Sequence, residues 1–158
     1  MNPWLLAAII AVLVIAVVIK RLTGEPVTMR DLFVTPAVLT GIGILSLVKM
    51  KDVTGADLTW VVAGAVLGAA LGALRGTTIQ LSDKQGALWQ RYTGRTFLAV
   101  IGSLVIMIGF GLLAAKMGMH EKARPIQLSL GVSFLGESLV VHRRGMASGI
   151  PFAAKPNR

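Results

Sequence analysis

Few side chains in this sequence can do chemistry. There are two histidines, His120 and His142, and no cysteine among 158 residues. Without a thiol the chain can form no disulfide, no thiolate zinc site, no CxxC redox pair and no covalent c-type haem link. It holds no GxSxG elbow, P-loop, HExxH helix or Gly-rich dinucleotide fingerprint, and no Asp or Glu cluster has ligand spacing. No catalytic residue, metal site or cofactor is assigned; haem ligation by a histidine with Met117 or Met119 stays open as chemistry but has little support. One residue does stand out: Glu137 is the sole ionisable side chain inside five long apolar runs. A carboxylate in lipid is costly unless it is paired, protonated or wetted, and such residues often mark ion, proton or substrate paths. Glu137 also lies one turn, about 6 Å, before the end of its run, on the side where Lys20, Arg21, His142, Arg143 and Arg144 collect. An ion pair fixing the helix end is therefore the favoured role, and a conducting carboxylate the sharper alternative. With Ser133, Gly136 and Val140, Glu137 makes an i, i+3, i+4, i+7 stripe that either packs or lines a small polar cavity.

The elements that must position these residues follow from composition. Hydrophobic residues make up 54% of the chain and charged residues only 15%, against about 25% in a soluble domain. Mean hydropathy is +0.74, and the apolar excess is aliphatic with 18 glycines, the composition of helices packed closely in lipid. The five runs are 4–19, 32–48, 58–74, 97–115 and 126–141, each close to the roughly 20 residues that a spanning helix needs. The expected fold is an all-α membrane protein of five transmembrane helices, a single helical domain over 1–145 followed by a flexible cytoplasmic tail over 146–158. The fifth run is the weakest, since it also holds Gln127, Ser129 and Ser138. The first resembles a signal-peptide core, but it lacks a basic leader and an A-x-A site before Lys20 and Arg21, so it reads as an uncleaved anchor.

A net charge of +9 would suggest nucleic acid in a soluble protein. Sorted by segment, the 16 cations instead fall 11 on one side and 5 on the other if all five runs cross. The larger group is Lys20, Arg21, Arg30, Arg75, Lys84, Arg91, Arg95, Arg143, Arg144, Lys155 and Arg158; the smaller is Lys49, Lys51, Lys116, Lys122 and Arg124. The positive-inside rule then places the amino terminus outside and the carboxyl terminus in the cytoplasm, with no nucleic-acid partner.

Two further patterns bear on partners. Gly64, Gly68, Gly72 and Gly76 recur every four residues on the third run, a face for tight helix contact within the chain or with a second copy. Between the third and fourth runs, TTIQLS and ALWQRY flank DKQG, which predicts a cytoplasmic β-hairpin with a type I turn. Trp89 and Tyr92 then anchor it at the membrane surface, and Lys84, Arg91 and Arg95 offer a docking surface for a partner or anionic headgroups.

The anchor ending in Lys20-Arg21, the segment GEPVTMRDLFVTPAVLTGIG, the Gly-rich span ending ALRGTT, the LWQRY hairpin and the closing LSLGVSFLGESLVVHRRG together resemble the CcdC-like family of small bacterial membrane proteins, over roughly residues 1–145. The resemblance implies a bacterial cytoplasmic membrane and an association with cytochrome c biogenesis, in a family whose biochemical function is essentially uncharacterised. It carries over no catalytic residue, and a chain without cysteine would act there only indirectly. The leading functional reading is a non-enzymatic accessory or assembly component whose partners are the bilayer and a second copy or another membrane protein. The alternative is a small oligomeric transporter or channel using Glu137.

Overall fold

The computed structural model describes residues 2–120 and 126–154. Its elements are α1 (Pro3–Thr23), β1 (Glu25–Pro26), α2 (Met29–Lys49), α3 (Gly55–Thr78), β2 (Gln80–Lys84), β3 (Ala87–Arg91), α4 (Gly94–Lys116) and α5 (Ile126–Ser148). Every apolar run lies inside a longer helix, and in the first four, polar caps set the starts before the apolar residues begin. Asn2, Thr28, Thr54 and Thr93 each accept a first-turn backbone N–H, and Thr54–Asp57 and Thr93–Thr96 close reciprocal capping boxes.

Helices α1 to α4 are long and apolar enough to cross a membrane; α5, at 23 residues, is not among them. Its place in the fold explains its polarity. α5 is the central helix, packed between α3 and α2, and between 128 and 141 only Leu130 and Leu139 are exposed. A helix enclosed by protein needs small side chains and satisfied polar groups more than apolar bulk. Gly72 leaves no room for a side chain against the Ser133 carbonyl, nor does Gly136 against the Ala69 carbonyl, and a Cβ on Gly76 would lie 2.9 Å from the Glu137 carbonyl oxygen. On the other flank Gly43 meets the Leu128 backbone and Gly131 the Thr40 backbone. The glycine face of α3 is thus occupied within the chain: Gly68, Gly72 and Gly76 on α5, Gly64 against Phe110 of α4. These pairings also give directions. α3 and α5 run in parallel, while α2 and α4 run against them.

The ends of α1, α3 and α5 and the starts of α2 and α4 therefore gather at one end, where a three-stranded antiparallel sheet sits in the order β1-β3-β2. The hairpin lies where the sequence places it, but its turn differs. Asp83 and Lys84 belong to β2 and pair with Leu88 and Ala87, leaving a two-residue turn of Gln85 (φ 57°) and Gly86 (φ 77°). Both central residues are left-handed, as a type I′ turn requires; this turn matches the twist of the strands better than the type I turn predicted over DKQG. β1 was not foreseen, and pairs Glu25 with Gln90.

Where a flexible tail is expected from 146, α5 instead continues to Ser148. Beyond it the Leu88 N–H donates to the Pro151 carbonyl and the Ala153 N–H to the Val27 carbonyl, each at 2.8 Å. Phe152 stacks on His142 at 5.6 Å. Lys122, Arg124, Lys155 and Arg158 lie outside the described residues. Under the sheet Val27, Ile79, Leu88, Tyr92 and Val141 form one buried cluster; Val61, Ala114, Met119 and Leu128 form a second at the far end.

Gly72→Ala should destabilise the chain by about 1–3 kcal/mol by forcing α3 from α5. Gly109→Ala, where a Cβ meets nothing within 4 Å, should be neutral or gain up to about 1 kcal/mol of helix propensity. Thermal unfolding of the two variants in detergent checks the contrast.

Candidate functional site

Because α3 runs on to Thr78, Arg75 belongs to a helix and shares the face of Gly68 and Gly72. The close α3–α5 approach brings its guanidinium to the Glu137 stripe. Arg75 Nε donates to Glu137 Oε2, and its Nη2 lies 3.5 Å from Ser133 Oγ. Tyr92, just past the end of β3, donates its hydroxyl to Glu137 Oε1 at 2.6 Å. Arg75, Glu137 and Tyr92 are each only 6% exposed. The Phe134 ring lies 5.2 Å from the Arg75 guanidinium carbon, a cation–π contact. Both carboxylate oxygens thus have charged or polar donors, which buried charge requires. Burial, and then the neighbouring Glu137 carboxylate, push the Tyr92 phenol well above its ordinary range, so it stays a donor.

A second ion cluster adjoins the first. Arg21 lies over the Tyr92 ring, 5.0 Å from its centroid, and binds Glu25 at 2.9 Å. Glu25 also takes Lys20 at 3.2 Å and Gln90 Nε2 at 3.1 Å. The Tyr92 N–H donates to the Arg21 carbonyl, fixing the last turn of α1 to the sheet.

Two expectations change here. Glu137 is in an ion pair, but its partner is Arg75 and not Lys20, Arg21, His142, Arg143 or Arg144. Arg21 and Lys20 serve Glu25, and Arg144 Nη1 instead donates to the Gly76 and Ile79 carbonyls, both at 2.7 Å, at the end of α3. Tyr92 is no surface anchor either, because the chain turns inward after Arg91 and delivers the phenol to Glu137. The rest of the predicted hairpin surface stands at the exterior: Lys84 Nζ lies 4.6 Å from the Trp89 ring centroid, and Arg91 and Arg95 are exposed.

The two histidines occupy opposite ends. His142 lies between Phe33 and Phe152 under the sheet. At the far end the His120 ring nitrogen Nδ1 is 2.9 Å from Asp57 Oδ2, and the His120 N–H donates to Asp57 Oδ1 at 3.0 Å. Asp57 is fully buried. Sequence reasoning missed its role, although Thr54-x-x-Asp57 before an apolar run is the capping-box signature. Met119 is buried in the far-end cluster and Met117 is exposed. Among the described residues, no three His, Asp or Glu side chains come together as a metal site.

The other feature at this site is a cavity of about 620 Å³ between α1, α3, α4 and α5. Its long walls are apolar, including Val18, Val61, Met107 and Phe110, and its sheet end is formed by Arg21, Arg75 and Tyr92. Neither Glu137 nor Glu25 is among its lining residues.

Comparison with family models, curated proteins and solved structures gives no match for this chain.

Glu137→Gln leaves the Arg75 charge buried without a counterion and should cost about 3–5 kcal/mol. Arg75→Gln together with Glu137→Gln should cost less than the two single changes summed, a coupling that a double-mutant cycle of unfolding in detergent measures. Tyr92→Phe should cost about 1.5–3 kcal/mol, the range for a hydrogen bond to a charged group.

Proposed function

We propose that this chain is an integral protein of a bacterial cytoplasmic membrane, crossing it five times, with the amino terminus outside and the carboxyl terminus in the cytoplasm. In this reading it is a non-enzymatic accessory or assembly component that presents the three-stranded sheet at the cytoplasmic surface. The observation that carries the reading is the closure of Glu137 by Arg75 and Tyr92. Its carboxylate is a structural clasp joining α3, α5 and the sheet.

Other features support the same picture. The five helices alternate in direction, so an odd number of crossings separates the termini, in keeping with the 11 to 5 division of cations. Gly131 against α2 and Gly136 against α3 make α5 a protein-enclosed crossing, consistent with its lower apolarity. The working surface is Lys84, Trp89, Arg91 and Arg95 with the outer edge of β2, which among the described residues pairs on one side only. The resemblance to the CcdC-like family supports the same cellular setting, and the lack of cysteine keeps any part in cytochrome maturation indirect. A transporter or channel conducting through Glu137 loses support, because the carboxylate has two donors and does not line the cavity.

A reporter fused after Arg158 should be active in the cytoplasm; activity confined to the exterior would overturn the orientation. Affinity capture of the detergent-solubilised chain should recover a membrane-protein partner, and reversing Lys84, Arg91 and Arg95 to Glu should abolish the recovery while leaving the chain folded. Ion or solute flux in liposomes that disappears with Glu137→Gln would replace this reading by the transporter.

A further inference from the structure

The cavity between α1 and the other helices is not explained by a role for the sheet alone. α1 has no buried residue and packs mainly on β3 at its last turn, so along most of its length it stands off from α3, α4 and α5. The space it leaves is about 620 Å³, within the roughly 300–1,000 Å³ of ligand sites. The space is half open and its walls are apolar, so left empty it would forfeit the contacts of every side chain lining it. From Val61 to Arg75 the cavity follows α3 for about 20 Å at 1.5 Å per residue, more than half of a hydrocarbon core of about 30 Å.

One end is chemically distinct. Arg21 and Arg75 both line it, while their carboxylate partners, Glu25 and Glu137, hold them without lining the cavity. The cations thus face the cavity and the anions lie beyond its wall. Ser133 adds a hydroxyl at the same end. Long and apolar, with a cationic end at the level of the helix ends, the cavity matches an acyl chain with an anionic headgroup.

We infer that this cavity is a binding site for one anionic phospholipid, its phosphate at Arg21 and Arg75 and one acyl chain along α3 and α4 past Met107. The inference rests on the membrane reading above, and under that orientation the lipid belongs to the cytoplasmic leaflet. The bound chain supplies the packing that α1 lacks and fastens it to the bundle.

The test uses the full chain in nanodiscs containing equal amounts of dioleoylphosphatidylglycerol and dioleoylphosphatidylcholine, with retained lipids counted by native mass spectrometry after release. The wild type should keep one phosphatidylglycerol with a preference of about tenfold or more over phosphatidylcholine. Arg21→Gln should reduce that preference at least about threefold, whereas Lys20→Gln, which removes the same charge from the neighbouring position outside the cavity, should leave it within about twofold. Met107→Trp, which fills the middle of the cavity, should abolish retention of either lipid while the sheet-end contacts remain. Equal retention of the two lipids, an equal effect of Lys20→Gln and Arg21→Gln, or unchanged retention in Met107→Trp would overturn the site. So would a dimer that dissociates in Met107→Trp, since a helix of a second copy would then be the occupant. Carbonate extraction of the same membranes separates the two readings: a chain that resists extraction and binds no lipid selectively loses this site and keeps its membrane assignment.

Discussion

Glu137 carries the constraint on which the rest of the structure depends. A carboxylate on the central helix, 6% exposed, is tolerable only with donors on both oxygens, and those donors come from two other elements. Arg75 requires α3 to lie close along α5 and Tyr92 requires β3 to end over the bundle. The glycines at 72, 76 and 136 make the first possible by removing side chains from the contact, and the type I′ hairpin makes the second possible by returning the chain toward the start of α4. Close backbone packing and satisfaction of one buried charge are therefore the same requirement met at one place.

The two ends of the bundle use related devices with different consequences. At the sheet end, donors from two elements enclose the Glu137 carboxylate, and Thr78, Thr93 and Thr96 join the end of α3 to the start of α4 through their hydroxyls and the Thr78 carbonyl. At the far end Asp57 caps its own helix and at the same time accepts from the His120 backbone and ring. A helix cap can bear a buried carboxylate because the free N–H groups of the first turn and the helix dipole favour it there. In both cases an acidic residue organises the chain around it, and neither needs a reaction to account for its burial.

Much of this architecture is legible in the residues themselves. The five helices, the hairpin between the third and fourth and the α3 glycine face follow from apolar periodicity, turn residues and spacing, all of them local or single-helix properties. The partner of Glu137 is harder to see. Ending the third run at Leu74 assigns Arg75 to a loop, although its spacing from Gly68 and Gly72 already places it on the contact face. Tyr92 reads as an interfacial anchor because aromatic residues near membrane ends usually are; its inward turn depends on where β3 stops. β1 and the return of residues 151–153 to the sheet depend on strands far apart in sequence, with no local periodicity to announce them.

What the sequence determines alone is the class of molecule: apolar runs of spanning length, an uneven distribution of cations, no thiol and a single carboxylate that has to be satisfied. Those are consequences of residue type and short-range spacing, which act before any long-range contact forms. The tertiary structure alone decides which cation meets that carboxylate, that the weakly apolar fifth run is the protein-enclosed centre, and that α1 stands apart over a cavity with two arginines at its mouth. Such features are relations between faces of different helices, and their geometry is set by how closely backbones approach, a quantity that no single segment encodes.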